Sequence, residues 1–135
     1  NFVKKTDVVC CKSHLSVLNN YSKPIIDEKD NSFMNVTKLR HMIIEQLDNN
    51  ELYVPNDITF NYDQNGILLF GTNAVGKSSL IKSIGVAIIM AQSGMYVPCS
   101  SFNYKPYKSL LKGTTTVYTF DRFEAVSEEV KSRAR

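Results

Sequence analysis

At 135 residues, 43% of them apolar, the chain has material for one domain with a single modest core, and two complete domains would strain it. The formal charge of +3 is spread along the sequence without a Lys/Arg block, so it permits a nucleic-acid partner but does not argue for one. Three cysteines, an odd number with Cys10 and Cys11 adjacent, exclude a disulfide framework and point to free thiols in a reducing compartment, each expected to be buried and inert.

The chain opens on Asn1 where a complete protein would carry Met, so a fragment of a longer protein is expected, and no signal-peptide pattern follows. Val8, Cys11, Leu15 and Leu18 recur at steps of three and four, which predicts an amphipathic helix stopped by "NNY" and Pro24. Residues 25–50 are polar and mixed: "DEKDNS" reads as a solvated loop, and "VTKLRHMIIEQL" as a short element, helix or strand. Ile58, Phe60 and Tyr62 alternate with polar residues as in a half-buried strand. "DQNG" then predicts a hairpin turn into "ILLF", whose four apolar residues between Gly66 and Gly71 fit a strand buried on both faces, as in a parallel sheet. Lys77 to Gln92 predicts a helix ended by Ser93 and Gly94. Its apolar run, Ile84 to Ala91, is too short to cross a bilayer, so a soluble intracellular protein with no membrane partner is expected.

"GTNAVGKSS", residues 71–79, holds the strongest chemical signal. Gly71, Gly76, Lys77 and Ser78 match GxxxxGK[ST], the spacing of a phosphate-wrapping P-loop. A loop that turns its backbone N–H groups inward needs the dihedral freedom of glycine, supplied here at Gly71 and Gly76. The helix that follows aims unpaired N–H groups and the positive end of its dipole at the anion. In this arrangement Lys77 reaches the β- and γ-phosphates, Ser78 ligates Mg²⁺, and Ser79 assists at the inner phosphates. The competing explanation is a chance match on a strand-to-helix turn, which average residue usage gives in on the order of one chain in a hundred. The apolar run before the motif and the helix after it weigh further against chance.

A family resemblance extends well beyond that loop. "ILLFGTNAVGKSSLIKSIGVAIIMAQSGMYVP" resembles the ATPase core of the MutS DNA mismatch-repair proteins, in which a G-x-N-x-x-GKS loop leads to a helix ending "MAQxGxxVP". "LRHMIIEQL" followed by "ELYVPNDI" is similar to the segment that approaches the nucleotide in that family, and "NYSKPII" resembles its junction between lever and ATPase. The resemblance covers residues from about 7 to about 111 in the family's order. It implies an α/β fold of the P-loop NTPase class, ABC-ATPase-like and equivalent to part of MutS domain V. Residues 1–24 would be the end of a helical lever or junction segment, and 25–135 a partial ATPase domain.

Position by position, the resemblance implies further roles. Asn73 would sit near the γ-phosphate, with Thr72, Ala74 and Val75 completing the loop; Tyr53 would stack on adenine, with Val54 and Asn56 lining the base pocket. An aromatic beside a Val-Pro pair is equally well accounted for as core, since aromatics bury large area wherever they sit. His41 matches a histidine of the family, but Met42 replaces the usual proline, and with no ligand spacing around it a structural role is the better reading. The implied cofactors are ATP or ADP with Mg²⁺. The implied partners are nucleotide, DNA contacted through other segments of the parent protein, and a second ATPase domain in a dimer. The wording at Thr72, Ala74 and Val75 is similar to the giant-virus and octocoral mitochondrial branch, which implies a viral factory, host cytoplasm or mitochondrion as compartment.

After residue 111 the resemblance breaks down. The family's signature loop, its strand ending in paired acidic residues and its switch histidine are not visible. "TTTVYTFD" can be read as a metal-holding strand ending at Asp121, but without the following glutamate that would activate water. Asp121 with Glu124 reads better as a capping box for a helix with Phe123, Val126 and Val130 on its apolar face. The sequence therefore predicts nucleotide binding with poor hydrolysis, because phosphoryl transfer also needs a metal held from more than one side and an oriented water. The alternative is a degenerate or truncated relative with a structural or interaction role; a P-loop phosphotransferase lacks any acceptor or lid motif.

Overall fold

A computed structural model describes residues 1–28, 32–47, 53–61, 63, 66–67, 69, 75–112 and 117–120. Helix α1 spans Phe2–Leu18. Its end is set by Asn19, whose side-chain amide and backbone N–H both donate to Leu15 O, and by Asn20, which takes a left-handed φ of 52°. Asparagine tolerates that conformation better than most side chains, and a residue in it cannot continue a right-handed helix. The predicted helix and its stop are therefore present. The predicted apolar face is not buried, however: Val8, Leu15 and Leu18 are exposed, and Ser16 is the buried residue of α1. Among the described residues, the C-terminal half of α1 meets the rest of the molecule through Lys12 Nζ donating to Ser93 O at 3.3 Å and Tyr21 N–H donating to Ser16 O at 2.9 Å.

The main sheet has four strands: β1 (Ile25–Ile26), β2 (Met34–Leu39), β3 (Asn56–Phe60) and β4 (Ser101–Tyr104). Their spatial order is β1-β4-β2-β3, with β1 parallel to β4 and β2 antiparallel to both β3 and β4. Alternation explains the buried side: Met34, Val36, Phe102, Tyr104 and Ile58 face the core, while Asn35 and Asn103, paired in register, lie on the other face. Between Val36 and Leu39 the β2–β3 register shifts. There Lys38 adopts φ 51° and its N–H donates to Asp57 Oδ1 at 2.8 Å, while the extra residue turns Leu39 back into the core at 0% exposure.

The segment with mixed periodicity thus holds two elements, the end of β2 and the one-turn helix α2 (Ile44–Leu47). Helix α3 runs Lys77–Gln92 over the predicted bounds. Ile84, Ala87, Ile88 and Ala91 recur at helical spacing and join the sheet residues in one cluster. Its end is a Schellman motif: Gly94 at φ 69° donates to Ala91 O at 3.1 Å and Met95 to Met90 O at 2.9 Å. Gln92 then grips the chain beyond β4, donating to Tyr107 O at 2.9 Å and accepting from Tyr107 N–H at 3.2 Å. Strands β5 (Ser109–Lys112) and β6 (Val117–Phe120) pair antiparallel as a separate two-stranded sheet.

Two expectations are corrected here. At the described positions of "ILLF" the expected strand buried on both faces is absent, since Ile67 and Leu69 lie outside any strand and are 39% and 36% exposed. β3 pairs with β2, and the predicted hairpin from Ile58 through residues 62–65 into that segment falls largely outside the described residues. A two-sided parallel strand needs hydrogen-bonded neighbours on both edges, and among the described residues no strand flanks 67 or 69. Cys10 and Cys11 are exposed, so burial holds for Cys99 alone. Leu68, Phe70, Asn73 and the capping box at Asp121 lie outside the described residues, as do Gly71, Thr72 and Ala74. No helix among the described residues is long and apolar enough to cross a membrane.

Candidate phosphate-binding site

The start of α3 carries the described half of the motif. Gly76 is the N-cap at φ 88°, and its carbonyl accepts the first helical bond from Leu80 N–H at 2.9 Å. That φ turns the incoming chain so that Lys77, Ser78 and Ser79 form the first turn, whose N–H groups lack intrahelical acceptors. No acidic residue occupies this turn and no side chain caps it, so nothing on the helix itself competes with an anion. Val75 and Ser78 are exposed, Lys77 and Ser79 half-buried. Leu80 packs against the core cluster and anchors the turn from below.

A Cβ on Gly76 would meet nothing within 4 Å, yet its φ of 88° is a conformation side chains rarely adopt. Gly76→Ala is therefore expected to lower the unfolding free energy by about 1–2 kcal/mol through backbone strain alone. A urea titration followed by circular dichroism checks it; a variant as stable as the parent would show that this φ is not required.

The residues expected at the base lie at the start of β3. Tyr53 is half-buried and outside the core cluster, Val54 is 75% exposed, and Asn56 donates from Nδ2 to Val54 O at 3.0 Å while pairing with Leu39 in the sheet. Val54 is open to solvent. His41 has the structural role expected of it: it is 6% exposed, and its Nδ1 accepts from Ile43 and Ile44 N–H at 3.3 and 3.4 Å, capping α2.

Sequence reasoning gave Arg40 no role. Its Nη2 donates to Asn19 O at 3.0 Å and Asn20 O at 2.9 Å, its Nη1 lies 3.5 Å from Glu45 Oε2, and its guanidinium sits 5.9 Å over the Tyr21 ring. Gln46 Nε2 adds a bond to Asn19 Oδ1 at 2.8 Å. Burial, and then the charge of Glu45, push the Tyr21 hydroxyl up from its ordinary value. The cluster fastens the C-terminus of α1 to α2; its partners lie at scattered sequence distances, so no local pattern announced it.

A family model described as MutS domain V matches residues 67–125. A mitochondrial DNA mismatch repair protein mutS homolog of Sarcophyton glaucum is 33% identical over 115 residues, covering 82% of this chain and 12% of that protein. A mutS homolog of Acanthamoeba polyphaga mimivirus is 34% identical over 143 residues, covering 81% of this chain and 13% of its own. The DNA mismatch repair protein MutS of Cytophaga hutchinsonii is 38% identical over 100 residues, covering 73% of this chain and 11% of its own. The chain thus spans only 11–13% of the length of these curated relatives. With the family model over α3 and relatives matched along most of the chain, the protein belongs to the MutS family.

Proposed function

We propose that this chain is the nucleotide-binding part of a MutS-type DNA mismatch-repair protein, a P-loop NTPase unit that cradles ATP or ADP with Mg²⁺ at the start of α3. The observation that carries this reading is the left-handed Gly76 at the head of a helix whose first turn is Lys77-Ser78-Ser79 and holds no acid. Lys77 would meet the outer phosphates, Ser78 would hold Mg²⁺, and residues 71–75 would wrap the anion, with Asn73 beside the γ-phosphate. Tyr53, Val54 and Asn56 would receive the base. Mg²⁺ would supply charge neutralisation between the phosphates, and the residues named do the positioning. Residues 1–24 form the junction to a helical lever in this reading, and 25–135 the partial ATPase domain. DNA contact, a dimer through the ATPase domain and clamp movement belong to the parent protein, with a mitochondrial or viral compartment in keeping with two of the relatives. Hydrolysis by the chain alone is slow, because the water-orienting group and the partner's loop are not in it.

Mg²⁺-dependent binding of a fluorescent ATP analogue tests the reading. Saturable binding is expected, and loss of one charge-assisted contact, about 1.5–3 kcal/mol, makes Lys77→Ala weaker by about ten- to a hundredfold. Equal binding by the variant would sink the phosphate assignment. A second reading, a truncated structural relative without ATPase activity, is favoured by the exposure of Ile67 and Leu69 and by the β5–β6 pairing of the segment read as a metal-holding strand. A folded chain that fails to bind the analogue would put that reading first.

A further inference from the structure

At the start of β3 one amide side chain has one end committed and the other open. Asn56 lies two residues before Ile58, and alternation along the strand puts both on one face of the sheet. Its ladder partner Leu39 is fully buried, and Ile58 belongs to the cluster that holds Ile84, Ala87 and Ile88 of α3. Asn56 therefore lies on the face that packs against α3. Its Nδ2 donates to Val54 O at 3.0 Å. That bond decides which way round the amide stands, because Oδ1 in the same place would face another carbonyl oxygen. Oδ1 is thereby directed away from Val54 O, and no described residue donates to it. Asp57 provides the contrast: it lies on the opposite face, and its Oδ1 already accepts from Lys38 N–H at 2.8 Å.

Resting on the nucleotide site read above, we propose that Asn56 is the residue that selects the base, its Oδ1 accepting from the exocyclic amino group of a 6-aminopurine. Adenine carries an N6 amino donor at that position, and guanine an O6 acceptor. Asn56 Oδ1 has lone pairs and no proton to give. It gains a hydrogen bond from an amino group and meets a second set of lone pairs when an oxo group takes its place. The amide can offer Nδ2 to an oxo group only by turning over, which gives up the bond to Val54 O and sets two oxygens against each other. The Val54 carbonyl thus acts as the stop that holds Asn56 in its accepting orientation. Val54 itself is 75% exposed, so the approach to this pair is open.

The test is displacement of ribose-labelled fluorescent ATP from the 135-residue chain by ATP and by inosine triphosphate, in which an oxo group replaces the 6-amino group. ATP is expected to bind about tenfold more tightly, the worth of one hydrogen bond gained and one lone-pair clash avoided. Asn56→Leu, of similar size and checked for folding by circular dichroism, is expected to bring the two nucleotides to parity. Inorganic triphosphate, which has no base, is expected to bind parent and variant alike, whereas a merely structural Asn56 would weaken all three ligands together. Parity of ATP and inosine triphosphate in the parent chain, with binding still sensitive to Lys77→Ala, overturns the base assignment and leaves the phosphate cradle standing. A preference for ATP that survives in folded Asn56→Leu overturns Asn56 as its source. No binding of the label by a folded parent chain overturns the cradle and the base assignment together.

Discussion

Phe102→Ala is expected to lower the unfolding free energy by about 3–5 kcal/mol, the usual cost of emptying a buried aromatic site. Phe102 is 0% exposed and lies on β4, which is bonded on one edge to β1 and on the other to β2. It pairs with Val36 in register and packs edge-on against Tyr104, ring centroids 5.2 Å apart at 73°. Removing the ring leaves a void between two fixed strands and α3, where relaxation is limited because both edges of β4 are held. Folded domains have about 5–15 kcal/mol in all, so the variant should lose a large share of its margin. Denaturant titration by circular dichroism measures the loss, with Phe102→Leu as the milder comparison at under about 1.5 kcal/mol. A Phe102→Ala loss below about 1 kcal/mol would mean that β4 is not the centre of the core.

Arg40→Ala is expected to cost about 2–3 kcal/mol, the range for losing charge-assisted bonds from a largely buried cluster. The carbonyls of Asn19 and Asn20 lose their donor together, and the Glu45 carboxylate, with its side chain 14% exposed, loses its counter-charge. The full penalty of breaking a buried ion pair is not expected, because the Arg40 side chain is 25% exposed and water enters when it is removed. Arg40→Lys should recover little, since a single ammonium cannot reproduce a fork that serves two carbonyls and a carboxylate. A double-mutant cycle with Glu45→Gln separates the terms. If Arg40→Ala proves as costly in the Glu45→Gln background as in the parent, the ion pair contributes nothing and the carbonyl bonds carry the effect.

How much was legible in the sequence depended on whether one period ran through a segment. Helix α3 was readable end to end because its apolar spacing is unbroken and Gly94 supplies the positive φ its cap uses. β2 and α2 were not separable, because a bulge at Lys38 interrupts the two-residue alternation and the helical turn starts five residues after Leu39. The alternation in Ser101-Phe102-Asn103-Tyr104 was available as a strand signal, but at four residues it was too short to stand out. Periodicity also misled: the apolar positions of α1 and the run at 67–70 predict burial only if something covers them, and Val8, Leu15, Ile67 and Leu69 are uncovered. The helix start proposed to hold phosphate was legible at Gly76, Lys77, Ser78 and Ser79, because the motif's spacing places a turn and a helix there. Arg40 was not legible, because its role depends on residues 19–21 and 45 coming together only once the chain has folded.

The order of the sheet also bears on how the chain is made. β4 is the last of its four strands to leave a ribosome, yet it lies between β1 and β2. Among the described strands, until Tyr104 has emerged β1 has no partner and the inner edge of β2 is bare; the β2–β3 pairing can form beforehand. β3 starts 17 residues after the last residue of β2, so even this first pair closes a loop of some length. Long-range closure is slow, and unpaired edges attract other nascent chains. Closure of the four-stranded sheet is therefore deferred to the moment β4 inserts between β1 and β2.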